Sequence, residues 1–119
     1  MNPMQRAAAE ALTWVGTPFA PHARTKGIGC DCVQLALGIF QAAGVVPATE
    51  EFPPYRLDVS AHLDRSVVLD WLRSSGYFVP EQSVEPGCLL AFTFGRVVHH
   101  VGVGGVAGFG PVEEAVDRV

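Results

Sequence analysis

Cys32 and His100 are the two side chains best suited to covalent chemistry together. Cys32 follows Asp31 and a glycine-bearing loop, Gly27-Ile28-Gly29-Cys30, and precedes an apolar run from Val33 through Phe40. That order reads as a loop delivering a thiol to the first turn of a buried helix. The first N–H groups of a helix lack partners within it, and the helix dipole is positive there. A thiol so placed is expected to ionise more easily, and the thiolate is the nucleophile. A histidine within hydrogen-bond reach would take the thiol proton and later return it to a leaving amine. Asp31 is the expected N-cap of the helix.

Metal binding is the competing chemistry. Cys30, Cys32, Cys88, His99 and His100 include enough ligand types for zinc. Their C-x-C and H-H spacings do not match the usual C-x₂₋₄-C and H-x₃₋₅-H patterns. Plain packing is expected for Cys30 and Cys88, and neither a metal nor a cofactor is expected. Three cysteines are an odd number, and Cys30 and Cys32 stand too close for an easy disulfide. Free thiols are therefore the default.

The positioning elements follow from the hydrophobic pattern. Met4, Ala8, Leu12 and Val15 recur at helical spacing and predict an amphipathic helix over 3–15, ended by Gly16-Thr17-Pro18. Residues 19–29 read as a loop. The helix that starts at Asp31 or Cys32 is apolar nearly all round and should be central, with Gly44 as its C′ residue. Pro47, Pro53 and Pro54 predict an irregular stretch over 45–59. Ser60 would cap a third helix with Leu63, Val67, Trp71 and Leu72 on its apolar stripe, stopped by Gly76. His62 would be a surface residue of that helix. Trp14 and Trp71 are expected in or near the core.

Strands are expected beyond residue 76. Tyr77-Phe78-Val79 reads as a short one, and a weak last strand falls near 106–112. Between them, 88–94 and 97–103 read as a hairpin turning at Gly95-Arg96. Simple pairing then sets Phe94 opposite Val97, Phe92 opposite His99 and Ala91 opposite His100. Alternation puts His100 on a face of small residues, with room for another element or a ligand.

At 119 residues the chain is one domain by size, and with 49% apolar residues it can bury a core. Its net charge of −4 argues against nucleic acid as a partner. No apolar run is long enough to span a membrane, and Met1 to Val15 does not read as a secretory signal peptide.

Trp14-Val15-Gly16-Thr17-Pro18-Phe19, His22 and Gly27 through Leu35 together resemble the opening of NlpC-type cell-wall cysteine peptidases. They are most similar to the branch found in phages and gene transfer agents, which shows G-T-P-[FY], a loop, and D-C-[SV]-G-L. The resemblance continues through Tyr55-Arg56, then Pro86-Gly87-Cys88-Leu89-Leu90-Ala91-Phe92 against P-G-D-hydrophobic. It ends with His99-His100-Val101-Gly102-Val103 against H-V-G-[IV]. It runs from about residue 12 to residue 104.

The resemblance implies a papain-like α+β fold, with the nucleophile helix packed on a small antiparallel sheet. It implies Cys32 as nucleophile and His100 as base. It implies hydrolysis of amide bonds in peptidoglycan stem peptides, commonly between γ-D-glutamate and diaminopimelate, with no cofactor. Tyr55, Asp31 and His22 are the expected substrate-binding residues. His22, Arg24 and Lys26 form a basic cluster that reads either as a solvated loop or as a contact for an acidic stem peptide. Phage tail proteins are the expected partners, and the expected place of action is the cell wall, after synthesis in the cytoplasm. The same Cys/His pair also serves deamidation and acyl transfer.

Four positions depart from the family's pattern. Gln34 stands where glycine is usual, Cys88 where aspartate is usual, and Phe19 where tyrosine is commoner. The family also places a polar residue on the strand after the base to orient the imidazole. Ala107-Gly108-Phe109-Gly110-Pro111 supplies none, and Glu113 and Glu114 do not match its spacing. Losing such a residue lowers rates by orders of magnitude in related triads. A family member that has lost efficient turnover, and serves as a tail or wall-binding protein, is the alternative reading.

Overall fold

The structure, a computed structural model, describes residues 1–57, 67–80, 83–94, 97–104 and 117–118. It is of the mixed α+β class, with three helices and two small antiparallel sheets among the described residues.

Helix α1 (Pro3–Thr13) opens with a capping box. Asn2 Oδ1 accepts from the Gln5 N–H at 2.8 Å, and Gln5 Oε1 accepts from the Asn2 N–H at 2.9 Å. Of the expected apolar stripe only Ala8 is buried. Ala7 and Ala8 are fully buried, whereas Met4, Leu12 and Val15 are exposed. Small side chains let the helix lie close to its neighbour, which larger residues would hold off. Arg6 then reaches that neighbour: its Nε donates to the Ala43 carbonyl at 2.9 Å.

The neighbour is α2 (Cys32–Ala42), the expected central helix. Asp31 caps it as expected, with Oδ1 accepting from the Gln34 N–H at 2.8 Å. The far end closes in a Schellman motif. Val45 N–H donates to Phe40 O at 2.9 Å and Gly44 N–H to Gln41 O at 3.1 Å, with Gly44 at φ 79°. Val33, Ala36, Leu37, Ile39 and Phe40 are buried, and each large apolar side chain contributes about 1.5–3 kcal/mol. Gly38 is a close-approach position. A Cβ there would stand 2.8 Å from Trp14 Cζ2, so the indole can approach the helix this closely only because none is present.

The stretch 45–57 is irregular, as the prolines predict, but it is pinned. Gln41 Nε2 donates to Glu50 O at 2.9 Å and Pro47 O at 3.1 Å. Phe52 packs against Tyr55 and Trp71, with ring centroids 5.5 and 5.0 Å away. Helix α3 (Val67–Ser75) contributes Leu72 to the core, with Trp71 packed against it. Ser60, His62 and Leu63 lie outside the described residues. Residues 77–79 form no strand. Tyr77 and Phe78 instead turn their rings onto Trp71, and Phe78 meets Phe40 at 5.0 Å.

Two strands interrupt the loop before α2: β1 (Arg24–Thr25) pairs antiparallel with β2 (Gly29–Cys30). Strands of two residues carry no alternation, so the sequence shows no sign of them. Cys30 is held from the other side too. Its N–H donates to Pro18 O and its carbonyl accepts from the Ala20 N–H, both at 3.0 Å. The backbone feeding Asp31 and Cys32 is therefore fixed on two edges.

The second sheet has the order β4-β3-β5, from β3 (Leu89–Phe94), β4 (Val97–Val103) and β5 (Asp117–Arg118). The turn residues 95–96 and the stretch 106–112 lie outside the described residues. Phe94 pairs with Val97 as expected, and Thr93 with Val98. The register then shifts by one between Phe92 and Thr93, so Phe92 faces His100 and Ala91 faces Val101. A bulge takes up one residue of β4. His100 thus holds the register position that simple pairing assigns to His99. Ala91 and Val101, both buried, pack the sheet toward α2. The small-residue face that distinguished the two histidines does not exist in this register. The choice of His100 rests on its place before Val101-Gly102-Val103.

Candidate functional site

Cys32 begins α2 as its first helical residue and is buried, with 9% of its surface exposed. Burial is the largest influence on its thiol and pushes the pKa up. The backbone N–H of Val101 pulls it down, the Asp31 charge pushes it up, and the N–H groups of Val33 and Cys32 itself pull it down. The net direction is upward, so the expected easy ionisation is corrected: desolvation outweighs the helix terminus. The same contributions locate the sulfur. It sits at the mouth of α2, with β4 approaching it at Val101, the residue after His100. The side chains of His99 and His100 lie outside the described residues.

Asp31 is 2% exposed, and its carboxylate is engaged inside the protein. Besides capping α2, it accepts the His22 N–H on Oδ2 at 2.7 Å and, on the same oxygen, the hydroxyl of Tyr55. A buried carboxylate needs such donors. The carboxylate is thus taken up by bonds to the residues that flank the start of α2.

Tyr55 and His22 come together on that carboxylate. Their rings stand 4.6 Å apart, with Tyr55 buried and His22 exposed. His22 has φ 60°, a region a non-glycine residue seldom occupies, and the bond from its N–H to Asp31 holds it there. The pKa of the Tyr55 hydroxyl is pushed well above its ordinary value, first by burial and then by its bond to Asp31. Cys32 also acts on that hydroxyl electrostatically, so Tyr55 lies within reach of the thiol's charge.

Gln34 completes the cluster and is the residue whose role the sequence hid. It is 8% exposed, on the first turn of α2. Its Nε2 donates to Tyr55 Oη at 3.3 Å, and its Oε1 accepts from Arg24 Nη1 at 2.9 Å. Arg24 Nη2 in turn bonds Glu51 Oε1 at 3.0 Å. The polarity of this chain is determined at every link. A guanidinium only donates, so Gln34 must turn its oxygen to Arg24 and its amide N–H to Tyr55. The tyrosine oxygen accepts, and its proton goes to Asp31. A glutamine inside an apolar helix was itself the available signal, because buried polar groups need partners.

Cys30 and Cys88 are buried free thiols, as plain packing predicts. Lys26 pairs with Glu10 at 2.7 Å and stands 5.7 Å over the Trp14 ring. The basic cluster of the loop is thus divided between separate structural contacts. Among the described residues no group of three or more His, Cys, Asp or Glu side chains could hold a metal. Among them, too, no helix is long and apolar enough to cross a membrane.

The fold and the site define a mixed α+β protein with a buried cysteine at a helix mouth beside a buried, directionally bonded polar cluster. Comparison with family models, with curated proteins and with solved structures finds no match to this chain.

Proposed function

We propose that this chain is a cysteine peptidase of the NlpC type, with a papain-like arrangement, that hydrolyses amide bonds in peptidoglycan stem peptides. The bond between γ-D-glutamate and diaminopimelate is the preferred target. The observation that carries this reading is the meeting of α2 and β4: the Cys32 thiol lies at the helix mouth, and the strand reaches it at the residue next to His100.

In this reading Cys32 attacks the amide carbonyl. Its proton passes to His100 as the attack proceeds, because burial keeps the resting thiol protonated. The N–H groups at the start of α2, including that of Cys32, face the developing oxyanion. Collapse of the tetrahedral intermediate returns the proton to the leaving amine, and water then releases the acyl group from sulfur. Tyr55, Asp31 and His22 shape the wall of the site. A phage tail or virion is the proposed carrier and the cell wall the proposed place of action.

The test is incubation of the full chain with purified muropeptides, with mass spectrometry of the products. Cleavage by the parent and none by Cys32→Ala, at equal thermal stability, supports the reading. Equal cleavage by the two refutes it. The buried, upward-shifted thiol favours one second reading, a member of the same fold that binds wall peptides without turnover. Muropeptide binding without any product is its signature.

A further inference from the structure

Two loops flank the first turn of α2. One carries Arg24 and the other carries Glu51 and Tyr55, and the Arg24–Glu51 ion pair joins them at 3.0 Å. The two partners of this pair are held very differently. The Glu51 side chain is 69% exposed, against 25% for Arg24. Arg24 is anchored from within: Nη1 bonds the buried Gln34 amide at 2.9 Å, and its stem lies along α2 beside Gly38. An exposed ion pair adds little to stability, so Glu51 is readily displaced. The guanidinium keeps its orientation when that happens, because the Gln34 bond sets it.

We propose that Arg24 is the specificity residue that recognises a carboxylate on the substrate, and that Glu51 occupies its place until substrate arrives. The inference rests on the peptidase reading and adds to it which feature of the stem peptide is read. A glutamate linked through its γ-carboxyl has committed that group to the amide under attack, and its α-carboxyl remains a free anion. A guanidinium presents a planar fork of donors that suits a carboxylate. Prior orientation by Gln34 lowers the ordering cost of binding it. Gln34 thereby gains a task that the usual glycine lacks, since its amide oxygen holds the guanidinium in place.

The experiment compares two synthetic stem peptides that differ at one group, the α-carboxyl of the γ-linked glutamate, free in one and amidated in the other. The parent protein should favour the acid by about tenfold in kcat/KM, the size of one charge-assisted hydrogen bond. Arg24→Gln should lose that preference through KM, with kcat retained, and Arg24→Lys should restore part of it. Glu51→Gln should lower KM for the acid more than for the amide. An unchanged preference in Arg24→Gln, or equal loss on both peptides, overturns the proposal while leaving the peptidase reading intact. Should the parent cleave neither peptide, that reading fails. Calorimetry of both peptides on the Cys32→Ala protein then decides the carboxylate site: equal affinities overturn it, and preference for the acid sustains it.

Discussion

The Tyr55 hydroxyl donates to the Asp31 carboxylate, joining the irregular stretch after α2 to the cap of α2 itself. With the Gln34 and His22 N–H groups on the same carboxylate, one buried anion joins three segments of chain beside the thiol. Removing the tyrosine hydroxyl should therefore loosen the site as well as the fold. Tyr55→Phe should cost about 1–2 kcal/mol, the range for a buried hydrogen bond to a charged group. Asp31→Ala should cost more, about 2–4 kcal/mol, because it removes a helix cap and strands three donors. Urea denaturation of both single variants and the double variant measures this. Strict additivity would show that the two groups are not coupled.

The two neighbouring cysteines should behave differently. Cys32→Ala should abolish muropeptide cleavage. Cys30→Ala should keep it, with stability lowered by about 1 kcal/mol for the small buried group lost. Loss of activity in Cys30→Ala at retained stability would move the nucleophile by two residues. His100→Ala and His99→Ala, assayed side by side, separate the base from the residue at the bulge.

Alkaline pH should weaken the protein. Burial pushes the Cys32, Cys30 and Tyr55 pKa values up. Each group therefore releases its proton earlier in the unfolded chain than in the folded one. The stability linked to these groups is full below the unfolded values and is lost as pH rises through the folded ones. The decline should begin near pH ~8.5, where an ordinary thiol ionises, and continue past ~10 for the tyrosine. Thermal melts from pH 7 to 10.5 test this, and a flat profile contradicts it. Iodoacetamide labelling of Cys32 should likewise require a higher pH than labelling of free cysteine.

Gly38→Ala should be destabilising even though alanine is the better helix former. The new methyl would stand 2.8 and 2.9 Å from two Trp14 ring carbons and 3.3 Å from Arg24 Cγ. Overpacking of this kind costs about 1–3 kcal/mol, against less than 1 gained in helix propensity. A melting temperature above that of the parent would show that Trp14 moves aside freely.

Much of this architecture was legible in the residues. The run from Val33 to Phe40, bounded by Asp31 and Gly44, encodes a buried helix with its cap and its stop, because apolar period and end chemistry are local properties. The hairpin strands were legible for the same reason. Tertiary packing decided the rest. The sequence could not place the bulge that moves His100 opposite Phe92, because one extra residue in a ladder changes no local preference. Nor could it show that α1 buries its alanines rather than Met4 and Leu12, since that depends on how near α2 comes. The thiol's upward shift is likewise a matter of desolvation by distant chain, which outweighs the helix end that the sequence did display. The pairing of Arg24 with Gln34 and Glu51 joins three separate elements, and only their assembly brings those residues together.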